Sequence, residues 1–136
     1  MRSLLLSMLL LTGCGSAPPT ARPTSPASPA TAGGPDPILT DPDNYRMVME
    51  NEHVRVLRYH DVPRTKTHLH HHPASVLYAL SAFQRRLTLG NGTTQIKDLK
   101  AGDVFWLPAQ DHTGENIGTT DTEVLLVEVK EASAGR

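Results

Sequence analysis

A tract of histidines near the middle of the chain is its densest group of residues able to do chemistry. Four of the five residues from 68 to 72 are histidines. Alternate side chains of a strand point to one face, so His68, His70 and His72 share a face that His71 does not. Residues two apart lie about 6 to 7 Å from each other, near enough for two imidazoles to ligate one Zn, Fe, Ni, Cu or Mn ion. A solvated polar strand that binds metal loosely is an equally open interpretation.

A second segment carries one more histidine in a regular spacing. Gly102 is followed by Pro108, His112 and Asn116 at intervals of six, four and four residues. This segment resembles the second motif of the cupin superfamily, and the His-x-His formed by residues 70 and 72 resembles the first. The resemblance covers about residues 54–129. It implies an all-β cupin-like fold, a double-stranded β-helix or jelly-roll barrel with a metal site inside.

The first motif departs from the superfamily pattern in one respect. A glutamate that usually acts as the third ligand follows the second histidine by four or five positions, where this chain has valine and leucine. Placing the motif on His68 and His70 instead puts alanine and serine there. The resemblance then implies a site made of His70, His72 and His112, with His68 as a substitute or fourth ligand. This ligand set is similar to that of thiol dioxygenase cupins.

Three neutral imidazoles leave a divalent ion its full charge and at least one open position for water or substrate. The site is therefore suited to metal-dependent activity on a small molecule, for example as an oxygenase. The alternative is a metal-free module whose barrel holds a small ligand or nothing. Cupins include enzymes, sugar binders, sensors and storage proteins, so the resemblance does not decide between these functions.

Three further side chains are candidates for the pocket or for the layer behind the ligands: Asn116, Tyr78 and Trp106. Asn116 shares a strand face with His112 and is expected to bind a ligand or a bound water, or to serve a turn. The two aromatic residues are expected at the pocket mouth, with a plain core position as the alternative.

The elements that must position these residues are short strands. Runs rich in β-branched and aromatic residues alternate with turn signals, and no apolar spacing of helical period is sustained. Gly90, Asn91 and Gly92 form a strong hairpin signal. A domain built from short strands avoids exposed sheet edges by closing its sheet into a barrel or by packing two sheets together. The nine predicted strands are residues 46–49, 54–59, 68–72, 76–80, 84–89, 94–99, 104–107, 112–117 and 123–129.

The N-terminus has the pattern of a sorting signal. Arg2 precedes an apolar run that is too short to span a bilayer. The run ends in residues 11–14, which resemble the lipobox of bacterial lipoproteins and imply that Cys14 is lipidated after removal of residues 1–13. An ordinary secretory signal and a buried start of the domain remain alternatives.

The signal divides the chain into segments with different expected roles. Residues 14–37 are expected to form a disordered tether rich in Pro, Ala, Ser and Thr, residues 38–132 the folded domain, and residues 133–136 a disordered tail. The predicted location is the bacterial cell envelope, extracytoplasmic or periplasmic, with a lipid anchor in the inner or the outer membrane.

The composition narrows the range of partners. A formal net charge of -1 and 4% aromatic residues provide no basic stripe for nucleic acid. One cysteine cannot form an intramolecular disulfide. The one adjacent pair of cations, Arg85 and Arg86, is expected either to recognise a carboxylate or to lie on a solvated strand surface. The expected partners are a membrane, a small-molecule ligand and a second copy of the chain.

Overall fold

The computed structural model describes residues 33–131. The predicted signal peptide, Cys14, most of the tether and the C-terminal tail lie outside these residues. Within the described range no helix is long and apolar enough to cross a membrane. The elements are α1 (Pro37–Thr40), β1 (Tyr45–Glu50), β2 (Val54–Asp61), β3 (His70–His72), β4 (Ser75–Ala79), β5 (Phe83–Leu89), β6 (Thr94–Leu99), β7 (Val104–Leu107), β8 (Gln110–Asn116) and β9 (Thr122–Val129).

The all-β prediction is confirmed. All nine predicted strands are present between residues 33 and 131, with ends that differ by at most two residues. The one helix between residues 33 and 131, α1, is a single turn and was not predicted. Two local features stabilise the start of this helix. The Asp36 carboxylate caps it by accepting a hydrogen bond from the N–H of Ile38, and Pro37 occupies the first turn.

The strands form two antiparallel sheets. The five-stranded sheet has the order β1-β2-β9-β4-β7, and the four-stranded sheet has the order β3-β8-β5-β6. The residues of β9 alternate between buried and partly exposed, as expected for a strand with one face on the core. Both sheets contribute to one buried cluster, so their inner faces pack together. The cluster consists of Tyr45, Leu57, Tyr59, Ala79, Phe83, Leu99, Val124 and Leu126.

Residues 33–37, which precede the predicted domain start at residue 38, contact the barrel. The carbonyl of Pro35 accepts a hydrogen bond from the N–H of His71, and Asp36 forms an ion pair with Arg55. Because β3 is an edge strand, the segment before α1 covers backbone groups that would otherwise remain open. The last part of the predicted tether is thus packed on the barrel, which its composition alone could not show.

Two glycines have positive φ angles that their turns require. Gly92, with φ +84°, lies in the hairpin between β5 and β6, and Gly102, with φ +92°, precedes β7. Residues with a Cβ rarely adopt this conformation. The predicted hairpin at residues 90–92 is confirmed, because β5 and β6 pair antiparallel on either side of it.

A third glycine is required by close packing. A Cβ added to Gly114, in the middle of β8, would lie 2.3 Å from Nη2 of Arg85. We expect Gly114→Ala to lower the free energy of unfolding by about 1 to 3 kcal/mol, the usual cost of overpacking a filled site. Urea denaturation measures this change. In the control, Gly34→Ala, the new Cβ would meet Asp111 at 3.6 Å, so equal losses in both variants would contradict the packing argument.

Candidate metal centre

Pairing of two short strands brings three histidines together inside the barrel. His70 on β3 is the direct cross-strand partner of His112 on β8, and His72 lies on the same face two residues along. The exposed fractions of His70, His72 and His112 are 0%, 2% and 6%. One ring nitrogen from each lies within 4.8 Å of the other two. The separation suits donors around a single ion, and the ring centroids of His70 and His112 are 4.7 Å apart.

Hydrogen bonds to the Nδ1 atoms of His70 and His72 determine which ring nitrogen of each faces the other histidines. Nδ1 of His70 lies 2.7 Å from the carbonyl oxygen of His68, and Nδ1 of His72 lies 2.6 Å from a carboxylate oxygen of Glu128. Each Nδ1–H therefore donates, which leaves the lone pair on Nε2 available. The two Nε2 atoms converge on one point, because both lie near the hydroxyl of Tyr45.

Tyr45, the first residue of β1, belongs to this site although the sequence did not indicate it. Its hydroxyl is 3.1 Å from Nε2 of His70 and 3.4 Å from Nε2 of His72. Burial raises the pKa of Tyr45 above its usual value, so the phenol is neutral at physiological pH. A neutral hydroxyl can donate one hydrogen bond and also accept one. It is therefore placed to contact whatever occupies the space between the two rings.

The environment keeps two of the imidazoles uncharged. Burial, and then the neighbouring His72, lower the pKa of His70 to about 4. Burial, followed by His72 and His70, lowers the pKa of His112 to about 2. Nδ1 of His112 is buried and has no hydrogen-bond partner among residues 33–131. Nothing there fixes its tautomer, so either ring nitrogen is available. Neutral imidazoles with available lone pairs fit a divalent transition metal.

A glutamate does belong to the site, but it hydrogen-bonds a histidine and does not occupy the ligand position of the superfamily glutamate. Glu128, on β9, is 1% exposed and lies behind His72, and its second oxygen is 2.5 Å from Nε of Arg55. Burial alone would raise its pKa, but the hydrogen bonds from His72 and Arg55 hold the pKa below its ordinary value. The signal that could have found Glu128 is its parity with the core residues Val124 and Leu126.

Comparison with solved structures identifies the fold. A cupin domain from Bordetella pertussis Tohama I has a TM-score of 0.58 at 22% identity, over 63% of this chain and 91% of that chain. A Klebsiella pneumoniae protein with a double-stranded β-helix domain has a TM-score of 0.52 at 26% identity, over 67% and 78%. A Cupin 2 conserved barrel domain protein from Salinispora arenicola has a TM-score of 0.52 at 20% identity, over 83% of this chain and 92% of that chain. The domain has the cupin fold. No protein-family model matches the chain, and neither does any curated protein.

The other two histidines of the tract lie outside the group in the cupin barrel. The side chain of His68 is 78% exposed, and its Nδ1 lies 3.0 Å from Asp41. Strand β3 begins at His70, so the alternation that would place His68 with the others does not reach it. His71 faces the opposite side, and its Nδ1 lies 2.5 Å from Asp111. The structure thus pairs the exposed ring of His68 with the buried carboxylate of Asp41, in place of the predicted fourth-ligand position.

Asn116 belongs to a buried polar network beyond the histidines. Its amide donates to a carboxylate oxygen of Asp61 at 3.0 Å and to the carbonyl of Thr120 at 2.9 Å. Arg85 donates to the other oxygen of Asp61, and to the hydroxyl of Tyr59 at 2.7 Å. Asn116 therefore supports the cupin core and does not contact the three imidazoles, although it shares their side of β8 as predicted.

The two adjacent arginines have opposite environments. Arg85 is 7% exposed, and its guanidinium carbon lies 4.6 Å from the ring centroid of Tyr59. Arg86 is exposed and pairs with Glu115. The prediction of a solvated surface is thus right for Arg86 and wrong for Arg85. Strand alternation separates the two, because β5 turns its odd-numbered residues inward.

A cavity lined by His72 and His112 opens to the surface of the barrel. Its volume is about 740 Å³, including solvent space at its mouth. Trp106 lines it and remains 61% exposed, as expected for a residue at the mouth. Tyr78 does not line this cavity and is 41% exposed. A break at residues 73 and 74 reverses the parity between β3 and β4, so that Leu77 faces inward and Tyr78 outward.

The depressed pKa values of His70 and His112 predict how the stability of the metal-free protein depends on pH. The ordinary value for histidine is 6.5, and the folded values are about 4 and about 2. Between pH 6.5 and 4 the unfolded chain binds protons that the folded chain does not, so stability is full above pH 6.5 and falls as the pH falls. Each histidine contributes a slope of about 1.4 kcal/mol per pH unit.

Urea denaturation at pH 7, 6, 5 and 4.5 in the presence of a chelator tests this dependence. His112→Ala should reduce the slope by about half. The control is His53→Ala, which removes an imidazole whose side chain is 78% exposed and should leave the slope unchanged. A wild-type stability that is flat between pH 6.5 and 4.5 would contradict neutral burial of the two rings.

Proposed function

We propose that this cupin domain binds one divalent transition metal through ring nitrogens of His70, His72 and His112. The observation that carries the proposal is the convergence of three buried imidazoles, two with Nε2 lone pairs directed at a common point and one with an unpartnered nitrogen. The donor set accommodates Fe, Zn, Mn, Ni or Cu, and the nitrogen ligands do not choose among them.

When bound, an ion held by neutral imidazoles supplies a Lewis acid with a position open to water or to a small molecule. The residues around it have separate tasks. Glu128 and the carbonyl of His68 hold their histidines in one tautomer and orientation. The hydroxyl of Tyr45 offers a hydrogen bond beside the same position. Apolar side chains of the cavity limit the access of bulk water.

One observation favours the second candidate, a metal-free binding module. The hydroxyl of Tyr45 lies near the Nε2 atoms of both His70 and His72, so it can satisfy one of them without an ion. The same barrel would then hold a small organic ligand alone. The two candidates differ in whether metal stabilises the folded protein.

Metal loading of the purified protein separates the candidates. The protein is treated with chelator, dialysed, and reloaded with Zn, Fe, Ni, Mn or Cu. We expect about one equivalent of at least one metal and a raised melting temperature, because an ion at 100 times its Kd stabilises the folded state by about 2.7 kcal/mol. Less than about one tenth of an equivalent of every metal, with unchanged melting, would favour the metal-free module.

Glu128 should affect metal binding without touching the ion. We expect Glu128→Gln to weaken the binding of Zn by about 10- to 100-fold, the usual effect of losing a carboxylate behind a ligating histidine. Competition with a chromogenic chelator measures this Kd. The control is Glu123→Gln on the same strand, which pairs with Arg58 at the surface. Equal affinities in the two variants would show that the carboxylate behind His72 does not tune the site.

We also propose that the chain acts as a lipoprotein of the bacterial cell envelope, anchored through Cys14 with the barrel on the extracytoplasmic side. The apolar run and the lipobox-like residues 11–14 support this placement. Expression in a bacterial host followed by fractionation tests it. The wild-type protein should sediment with membranes and carry acyl chains on Cys14, and Cys14→Ser should abolish both. Wild-type protein without acylation would contradict the anchor.

A further inference from the structure

Two cations face each other across neighbouring strands inside the cavity. Arg85 on β5 and Lys97 on β6 are direct cross-strand partners, and both line the cavity. Like charges in this position normally destabilise a sheet. The inner face of β6 otherwise carries Gln95 and the buried Leu99, so a lysine there interrupts a side that packs on the core.

The two charges are not compensated equally. Arg85 forms an ion pair with Asp61, whose side chain is fully buried. Lys97 forms no ion pair with any residue from 33 to 131 and is partly buried. One positive charge at the wall of the cavity therefore has no counterion among residues 33–131. An anion that enters the cavity would meet this charge in surroundings poorer in water than the surface, where ionic hydrogen bonds are stronger.

The remaining lining determines what kind of anion fits. Apolar side chains dominate the lining of the cavity that Lys97 and His112 share, among them Leu77, Phe105 and Leu107. Such walls suit an apolar body, and the few polar groups fix its orientation. Small inorganic anions would leave these walls uncovered. The chemical complement of the cavity is a small organic carboxylate with an apolar portion.

We propose that the cavity binds a small apolar carboxylate and that Lys97 recognises the carboxylate group. The inference deepens the proposed function and rests on it for the role of the metal, which would lie at the histidine end of the same cavity. The contact with Lys97 does not itself require a metal. The alternative role for Lys97 is structural, with its alkyl stem covering apolar surface and its ammonium group in water.

The single tryptophan of the chain provides a direct readout. Trp106 is the only tryptophan and lines the cavity, so its fluorescence reports occupancy. The purified protein is titrated with benzoate, phenylacetate and hexanoate, and with the corresponding neutral amides, in chelator and again after Zn loading. We expect saturable binding of at least one carboxylate, at least about tenfold tighter than binding of its amide, as charge-assisted hydrogen bonds imply.

A matched pair of variants isolates Lys97. Lys97→Met should weaken carboxylate binding about tenfold or more and leave amide binding unchanged. Lys100→Met removes the same charge from the exposed turn after β6 and should leave both unchanged. Circular dichroism and thermal melting establish that both variants fold. If Lys97→Met does not fold, Lys97→Arg, which keeps the charge, and Lys97→Gln provide the comparison.

The outcomes separate this inference from the metal proposal. Carboxylate binding that survives in chelator but is lost in Lys97→Met supports the inference even if no metal is bound. No saturable binding of any of the three carboxylates, with or without Zn, would overturn it. Equal affinity for acids and amides, or equal losses in Lys97→Met and Lys100→Met, would overturn it as well and assign Lys97 the structural role.

Discussion

Replacing His112 by alanine is expected to weaken metal binding by more than about 100-fold, which exceeds the usual loss when only a residue behind a ligand is removed. His112 is the one histidine of the group that comes from β8, and its loss leaves two donors on β3. Those two retain the weak, unselective affinity of any pair of neighbouring imidazoles. Isothermal titration calorimetry of the chelator-treated protein with Zn measures the change.

The matched control removes a histidine of the same tract that faces away. We expect His71→Ala to change the Kd for Zn by no more than about threefold. The His71 ring contacts Asp111 on the outer side of β3, so it could reach the metal site only if the strand register of β3 shifted by one residue. His68→Ala should also have a small effect, because its side chain is 78% exposed and pairs with Asp41 instead of joining the three converging imidazoles. A larger loss in His71→Ala than in His112→Ala would show that the tract chelates metal as a flexible segment.

The second large effect concerns stability. We expect Asp61→Ala to lower the free energy of unfolding by about 3 to 5 kcal/mol, because it leaves the buried charge of Arg85 without its partner. The substitution also removes acceptors for Tyr59 and Asn116. Urea denaturation at pH 7 measures the loss.

A surface ion pair provides the comparison for Asp61. Glu123 pairs with Arg58 where both side chains are partly exposed, so Glu123→Ala should cost less than about 1 kcal/mol. In the double variant Asp61→Ala with Arg85→Leu, part of the loss should be recovered, since no buried charge is then left unpaired. A loss below about 1 kcal/mol in Asp61→Ala alone would show that water solvates Arg85 in the folded state.

The strands and the three histidines could be predicted because their signals are local. Alternation places His70 and His72 on one face whatever the rest of the chain does. Turn residues such as Gly92 mark the ends of strands by their own conformational preference. The spacing around His112 resembles a known motif, which supplied the one long-range relation in the site, namely the grouping of His112 with His70 and His72.

The residues of the site that could not be predicted from the sequence are placed by contacts between strands that are distant along the chain. Tyr45 approaches His70 across 25 residues of sequence, and Glu128 approaches His72 across 56. No local pattern encodes which residue of β1 or β9 lies behind a given imidazole. Tyr78 was placed wrongly for a related reason, because the break between β3 and β4 shifts the alternation by one residue.

X-ray absorption spectroscopy of the Zn-loaded protein tests the central claim most directly, since it observes the ligands and not only the affinity. We predict four-coordinate Zn with three imidazole nitrogens at about 2.0 to 2.1 Å and one oxygen ligand, and we predict fewer imidazoles per Zn in His112→Ala. A wild-type spectrum with one or two imidazoles, or a spectrum that His112→Ala leaves unchanged, would contradict a site built from His70, His72 and His112.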